Sequence, residues 1–132
     1  MNKVVARFTD GRILKGMTAD FFPNKDQFHL TEATAPAGTP PMEIQTAELK
    51  ALFFVKEFEG RLDYREVKDF DPAHPKAGRR IRAEFADGEV LVGTTQGYQP
   101  GRHGFFLEPA DPGSNNLRCY VVAAAAKQIR FL

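Results

Sequence analysis

The feature that most restricts this chain is that it repeats itself. Sliding the sequence along itself by 77 residues lays residues 3–55 on 80–132 without a gap. In that register Ala6, Phe8, Asp10, Gly11, Leu14, Gly16, Thr18, Pro23, Phe28 and Leu30 meet identical residues at Ala83, Phe85, Asp87, Gly88, Leu91, Gly93, Thr95, Pro100, Phe105 and Leu107. Ala33, Ala47, Lys50 and Phe54 likewise meet Ala110, Ala124, Lys127 and Phe131. The identities fall on turn glycines, glycines within apolar runs and apolar positions, where a shared backbone geometry leaves little choice. Two copies of one fold are expected.

The second copy reads most clearly. Ile81, Ala83 and Phe85 alternate with Arg82, Glu84 and Ala86, the period of two of a strand with one buried face. Asp87-Gly88 predicts a two-residue type I′ hairpin turn. Such a turn sets Phe85 opposite Val90 and leaves Leu91, like Leu14 in the first copy, on the far face, to be covered by the other copy or by the connection. Gly93 and Gly16 mark a bend or bulge in the second strand. Tyr98 to Gly104 is a loop, and Phe105 to Leu107 a third strand. In the first copy the expected strands run over residues 3–9, 12–19, 27–31, 42–46 and 51–55, with a helical turn at 47–50. Five short strands, a bend in the second and a turn before the last match the plan of a small SH3-like barrel.

The expected architecture is therefore all-β, with two tandem five-stranded barrels at 1–55 and 80–132 and short helical turns only. At 53 residues each copy is near the lower size at which a core suffices alone, so the two should share an interface. Between them, residues 56–79 are rich in charge, but Phe58, Leu62, Tyr64, Val67 and Phe70 are interleaved, which predicts an ordered connection lying across a barrel. Asp63-Tyr-Arg-Glu66 has the form of a capping box opening a short helix. Residues 71–78 read as the flexible remainder.

The pattern of strand, Asp-Gly, apolar residues, bend glycine, loop and strand resembles the Sm-like family of RNA-associated barrels, over both copies. The segments VLVGTTQGYQPGR and ELKALFFVKEFEG also resemble uncharacterised bacterial proteins that carry such barrels in tandem. The Sm-like resemblance implies RNA binding through an Asp and an Asn after strand two and an Arg-Gly pair near strand five. Asp20 and Asn24 are the nearest match here, the second copy has Gly97 and Gly101 instead, and no Arg-Gly occurs near Thr46 or Ala123. A third resemblance, to PilZ-like cyclic-dinucleotide receptors, lies in Gly78-Arg79-Arg80-Ile-Arg82. Its arginine spacing differs from that family's, and Ser114 is followed by no glycine at the required position.

Charge is balanced in each part of the chain, with a net value of +1. Nucleic-acid binders usually carry a basic excess, so a protein partner is favoured over nucleic acid. No run approaches the roughly 20 apolar residues of a membrane span, and no signal-like segment opens the chain. Cys119 is the lone cysteine; it permits no internal disulfide and fits a reducing cytoplasm. One Ser, one Cys and the scattered His29, His74 and His103 lack the nucleophile–base spacing of covalent catalysis and the close ligand spacing of a metal site. No catalytic residue, metal or cofactor is assigned. The two copies diverge most in their loops, where Tyr98, Arg102 and His103, with Asn115 and Asn116, supply one aromatic, one guanidinium and several amide donors. Together they are the expected pocket for a carboxylate or phosphate. The chain reads as a non-enzymatic interaction or regulatory module, with an RNA binder and a small-anion receptor as alternatives. The sequence does not indicate its oligomeric state.

Overall fold

A computed structural model describes residues 1–59, 64–73 and 75–132. Ten strands appear in the order four strands, a 3-10 turn and a strand, twice over. They are β1 (Asn2–Phe8), β2 (Ile13–Thr18), β3 (Gln27–Glu32), β4 (Met42–Gln45) and β5 (Leu49–Val55), then β6 (Arg79–Phe85), β7 (Val90–Thr95), β8 (Gly104–Pro109), β9 (Asn116–Val122) and β10 (Ala126–Phe131). The turns lie at Thr46–Glu48 and Ala123–Ala125, one residue earlier than the helical turn expected at 47–50. All pairings are antiparallel and form one sheet in the order β10-β6-β7-β8-β9-β5-β1-β2-β3-β4. Two halves were expected to meet at an interface. They meet through a continuous sheet, joined where β5 pairs with β9 through Ala51↔Val121, Leu52↔Tyr120, Phe53↔Cys119 and Phe54↔Arg118.

The joint divides its side chains between two cores. Leu49, Leu52 and Phe54 of β5 pack with Val4, Ala6, Phe8, Phe28, Leu30 and Ile44. Ala51, Phe53 and Val55 of the same strand pack with Ile81, Ala83, Phe85, Leu91, Phe105 and Leu107. Reciprocally, Cys119 and Val121 of β9 enter the second core while Tyr120 and Val122 enter the first. This follows from the alternation of a strand's side chains: a strand apolar on both faces needs a core on each side. Every residue of β5 is buried, and even Lys50, whose ammonium bridges Asp87 (2.7 Å) and Glu89 on the β6–β7 turn and sits over the Phe85 ring, is only 8% exposed.

The hairpin turns differ from the expected type. A type I′ turn needs two left-handed residues, but Asp10 and Asp87 have negative φ and only Gly11 (φ 94°) and Gly88 (φ 90°) are left-handed. The Gly11 N–H donates to the Phe8 carbonyl at 3.1 Å and the Phe8 N–H to the Arg12 carbonyl at 2.9 Å, a three-residue loop with the glycine in a bulge. The Asp side chain closes the loop from outside, accepting from the N–H of Arg12 in one hairpin and Glu89 in the other. One extra loop residue moves the register by one, and with period two that reverses the face. Val90 accordingly lies opposite Glu84 and Leu91 opposite Ala83. Leu91 shares the core with Phe85, and Leu14 packs on the first core, rather than pointing away as the shorter turn required.

Gly16 and Gly93 are needed because β3 and β8 cross them closely. A Cβ there would run into the carbonyls of Thr31 and Glu108. The connection is ordered where described: Asp111 accepts from the Tyr64 hydroxyl and from the N–H of Val67 (2.8 Å), Ser114 donates to Glu66, and Arg80 stacks on Phe70. Residues 64–67 are not helical; Asp63, the cap of the expected helix, and Leu62 lie outside the described residues.

The free edges are β4 and β10. At the 77-residue shift, Tyr120 and Val122 of the joint correspond to Glu43 and Gln45, and Ala51 and Phe53 to Gln128 and Arg130. Pro40 and Pro41 precede β4, and Lys127, the counterpart of Lys50, would meet the counterpart of Glu89 as Arg12. Charges, prolines and a short strand are the devices that keep an edge from pairing with another chain. The protein should therefore sediment as a monomer over a broad concentration range, whereas E43Y/R130F should self-associate with rising concentration. A wild-type chain that already assembles through these strands would contradict the assignment of blocked ends.

Candidate functional site

The joint places the loop before β3 beside the loop before β8, with a groove between them. Each loop is tied to the turn of its own half: the Thr46 N–H donates to the Asp26 carbonyl and the Ala123 N–H to the His103 carbonyl, both at 2.9 Å. Beneath the loops Phe21 stands edge-on to Phe28 (5.3 Å), Tyr120 (5.1 Å) and Phe106 (6.1 Å), and Arg118 stacks on Phe54 and Phe106. This aromatic cluster contains residues from both halves and makes a firm floor. Gly104 lets the chain pass over it, since a Cβ there would lie 2.7 Å from the Tyr120 ring.

The groove has two lobes. One, of about 440 Å³, is lined by Lys25, Asp26, Thr46, Ala47, Arg102, His103 and Val122; the other, of about 620 Å³, by Asn24, Gly101, Arg102, His103, Phe106 and Tyr120. Pro23, Arg102 and His103 belong to both lobes. Lys25 and Arg102 are counterparts at the 77-residue shift. Among the described residues, neither has a carboxylate within ion-pair distance. The Thr46 Oγ1, in a residue 8% exposed, is buried with no hydrogen-bond partner among the described residues, and Tyr120, 2% exposed, lies in the floor. Burial raises the Tyr120 pKa, and the positive charge of Arg102 opposes the rise. Two cations and an apolar floor give the groove the chemistry to hold an anion.

Of the residues expected to form a pocket, Arg102 and His103 line this groove. Tyr98 instead packs edge-on against Phe105 (5.1 Å) and Phe131 (5.2 Å). Asn115 anchors the start of the connection, its side chain accepting from the Glu57 N–H at 3.1 Å and donating to the Glu57 carbonyl at 2.9 Å. Asn116 pairs with Val55 and lines, with Asn115, a separate cleft beside Arg7 and Phe58. Lys25, Thr46 and Tyr120 were not anticipated, although the matching of Lys25 with Arg102 was a signal available in the repeat.

The first half holds a further polar cluster. Asp20 accepts from the Thr18 hydroxyl (3.3 Å) and the His29 N–H (2.8 Å), and its other oxygen lies 2.7 Å from His29 Nδ1. Partial burial pushes the Asp20 pKa up, but hydrogen bonds from the His29 N–H, its ring and Thr18 outweigh it and hold the carboxyl below the usual value. Cys119 is buried, its thiol pKa driven far up by that burial, and Sγ donates weakly to the Leu107 carbonyl. Among the described residues no group of His, Cys, Asp and Glu is placed to hold a metal ion, and no helix is long and apolar enough to cross a membrane.

Comparison with known proteins gave one match. A family model described as "Family of unknown function (DUF6982)" covers residues 1–132. No curated protein and no solved structure matches the chain.

Two measurements check the local chemistry. Removing a buried hydroxyl that has no partner should stabilise the unliganded protein, so Thr46→Val should raise stability by about 1 kcal/mol, seen as a higher thermal midpoint; a lower midpoint would mean the hydroxyl is satisfied. For Asp20, a depressed folded-state pKa confers stability that is present above the unfolded value and lost as pH falls through the folded one. The His29 amide resonance should therefore titrate with a midpoint below the ~3.9 of a free aspartate, and a midpoint at or above that value would contradict the hydrogen bonds.

Proposed function

The chain thus belongs to that family of unknown function, and from the geometry of the groove we propose that it is a non-enzymatic interaction module that holds an acidic segment of a partner protein across the seam of its two halves. The observation that carries this reading is the pair Lys25 and Arg102, two counterpart cations on one groove, neither within ion-pair distance of a carboxylate among the described residues and both set above an apolar floor. An acidic segment supplies carboxylates for the cations, and Val122, Ala47 and Pro23 offer apolar contact to its backbone and stems. Asp26 on the same wall and a net charge of +1 support a short acidic peptide over the uniform charge of a nucleic-acid backbone.

We also read each half as an SH3-like barrel arising from tandem repetition, with Sm-like relatives. The strand order β5-β1-β2-β3-β4, which recurs as β10-β6-β7-β8-β9, supports that reading. The lone buried thiol of Cys119 is in keeping with a reducing cytoplasm.

Fluorescence anisotropy with a labelled glutamate-rich peptide and with a single-stranded RNA of similar length, over a salt series, tests the proposal. The peptide should bind saturably, and Arg102→Ala and Lys25→Ala should each weaken it about tenfold, the effect of losing one charge-assisted contact, with thermal stability unchanged. Peptide affinity indifferent to both substitutions would overturn the proposal. Tighter binding of RNA, with a salt slope of several charges, would replace it with a nucleic-acid function.

A further inference from the structure

The two halves treat one buried threonine differently. In the first half Thr18, 1% exposed at the end of β2, donates its hydroxyl to Asp20 two residues on. Its counterpart Thr95, 3% exposed at the end of β7, has a buried hydroxyl with no partner among the described residues. The residue two positions on is Gly97 in place of the aspartate, and His29 is replaced by Phe106. The second half has kept the hydroxyl and lost the carboxylate.

The space has remained. A Cβ at Gly97 would meet nothing within 4 Å, and Thr95 lines a cavity of about 270 Å³ with Gly78, Arg79, Gln96 and Tyr98. The other polar groups around it are largely donors. Arg79 stands directly opposite Thr95 in the β6–β7 pair, where its first-half counterpart is Asn2, and its guanidinium carbon sits over the Phe131 ring, 3.5 Å from its centre. That stacking steadies the guanidinium. Among the described residues Arg79 has no carboxylate within ion-pair reach, and neither the Gln96 amide nor the Tyr98 hydroxyl has a protein hydrogen bond. Gly78, at φ 98°, lets the chain pass within reach of the Thr95 carbonyl, where a Cβ would lie 2.6 Å from it.

We propose that this cavity is a carboxylate-binding socket, in which a carboxylate from outside the chain takes the place that Asp20 fills in the first half. One oxygen would accept from the Thr95 hydroxyl and the Gln96 amide, and the planar guanidinium of Arg79 would face the carboxylate in the paired geometry that distinguishes Arg from Lys. The socket adjoins the seam groove at Gln96, which lines both. The socket contains neither Lys25 nor Arg102, so socket and groove stand or fall separately.

Two probes separate the sources of such a carboxylate: acetate for a free acid, and N-acetylaspartyl methylamide for an acidic side chain of a peptide. Each is titrated into isotope-labelled full-length protein, with chloride and inorganic phosphate at matched ionic strength as controls. At least one carboxylate should give saturable shifts confined to the Arg79 Nε–H, the Gln96 side-chain amide and the Thr95 amide, and the tighter of the two identifies the source. Thr95→Val, which keeps shape and removes the donor, should weaken that probe about tenfold. Gly97→Asp should supply an internal carboxylate, raise the thermal midpoint and abolish the response. Shifts that follow ionic strength whatever the anion, or that persist unchanged in Thr95→Val and Gly97→Asp, would overturn the socket.

Discussion

The pairing of β5 with β9 is the contact on which the rest of the structure depends. It is a backbone ladder whose side chains are apolar on both faces, and each face belongs to a different core. Neither half encloses its own interior. The second core lacks a wall without Ala51, Phe53 and Val55, and the first lacks one without Tyr120 and Val122. Burying a large apolar side chain contributes about 1.5–3 kcal/mol, so these residues together outweigh the few kcal/mol of net stability a small domain has. Lys50 adds orientation to the joint: a buried ammonium is costly unless it is paired, and its carboxylates, Asp87 and Glu89, sit on one particular turn of the other half.

The candidate sites follow from how the two halves differ. The joint brings the loop of Lys25 beside the loop of Arg102, which a single half could not do, and the groove therefore belongs to the pair. The second half does not keep every polar contact of the first. Gly97 and Phe106 stand at the positions matching Asp20 and His29, which form a closed cluster in the first half, and the Thr95 hydroxyl is left without a partner among the described residues.

Much of this was legible in the residues. The 77-residue shift anticipated the element order and the core positions of Phe8 and Phe85, and it singled out Gly16 and Gly93, where the expected bend or bulge is a close approach of the neighbouring strand. The hairpin register was misread because Asp-Gly serves both a two-residue turn and a three-residue loop with a bulged glycine, and only the backbone φ of Asp10 and Asp87 separates them. That single residue reversed the expected faces of Leu14 and Leu91. A shared interface was expected but its form as one continuous sheet was not, because the apolar content of LKALFFV reads equally as a strand buried by its own barrel or by two. Tyr98, Asn115 and Asn116 were grouped with Arg102 because all lie in loops, and loop residues carry no periodicity from which to read a direction. Thr46 was not legible, because an unpaired hydroxyl is a property of its surroundings rather than of its sequence neighbours.

The central claim is that the β5–β9 joint completes both cores, and expressing residues 1–71 and 78–132 as separate chains tests it most directly. Each alone should give the narrow amide dispersion of an unfolded or molten chain, and mixing them should restore the dispersed spectrum of the intact protein in a one-to-one complex. Two fragments that each fold with dispersed spectra, and that do not associate when mixed, would contradict the account.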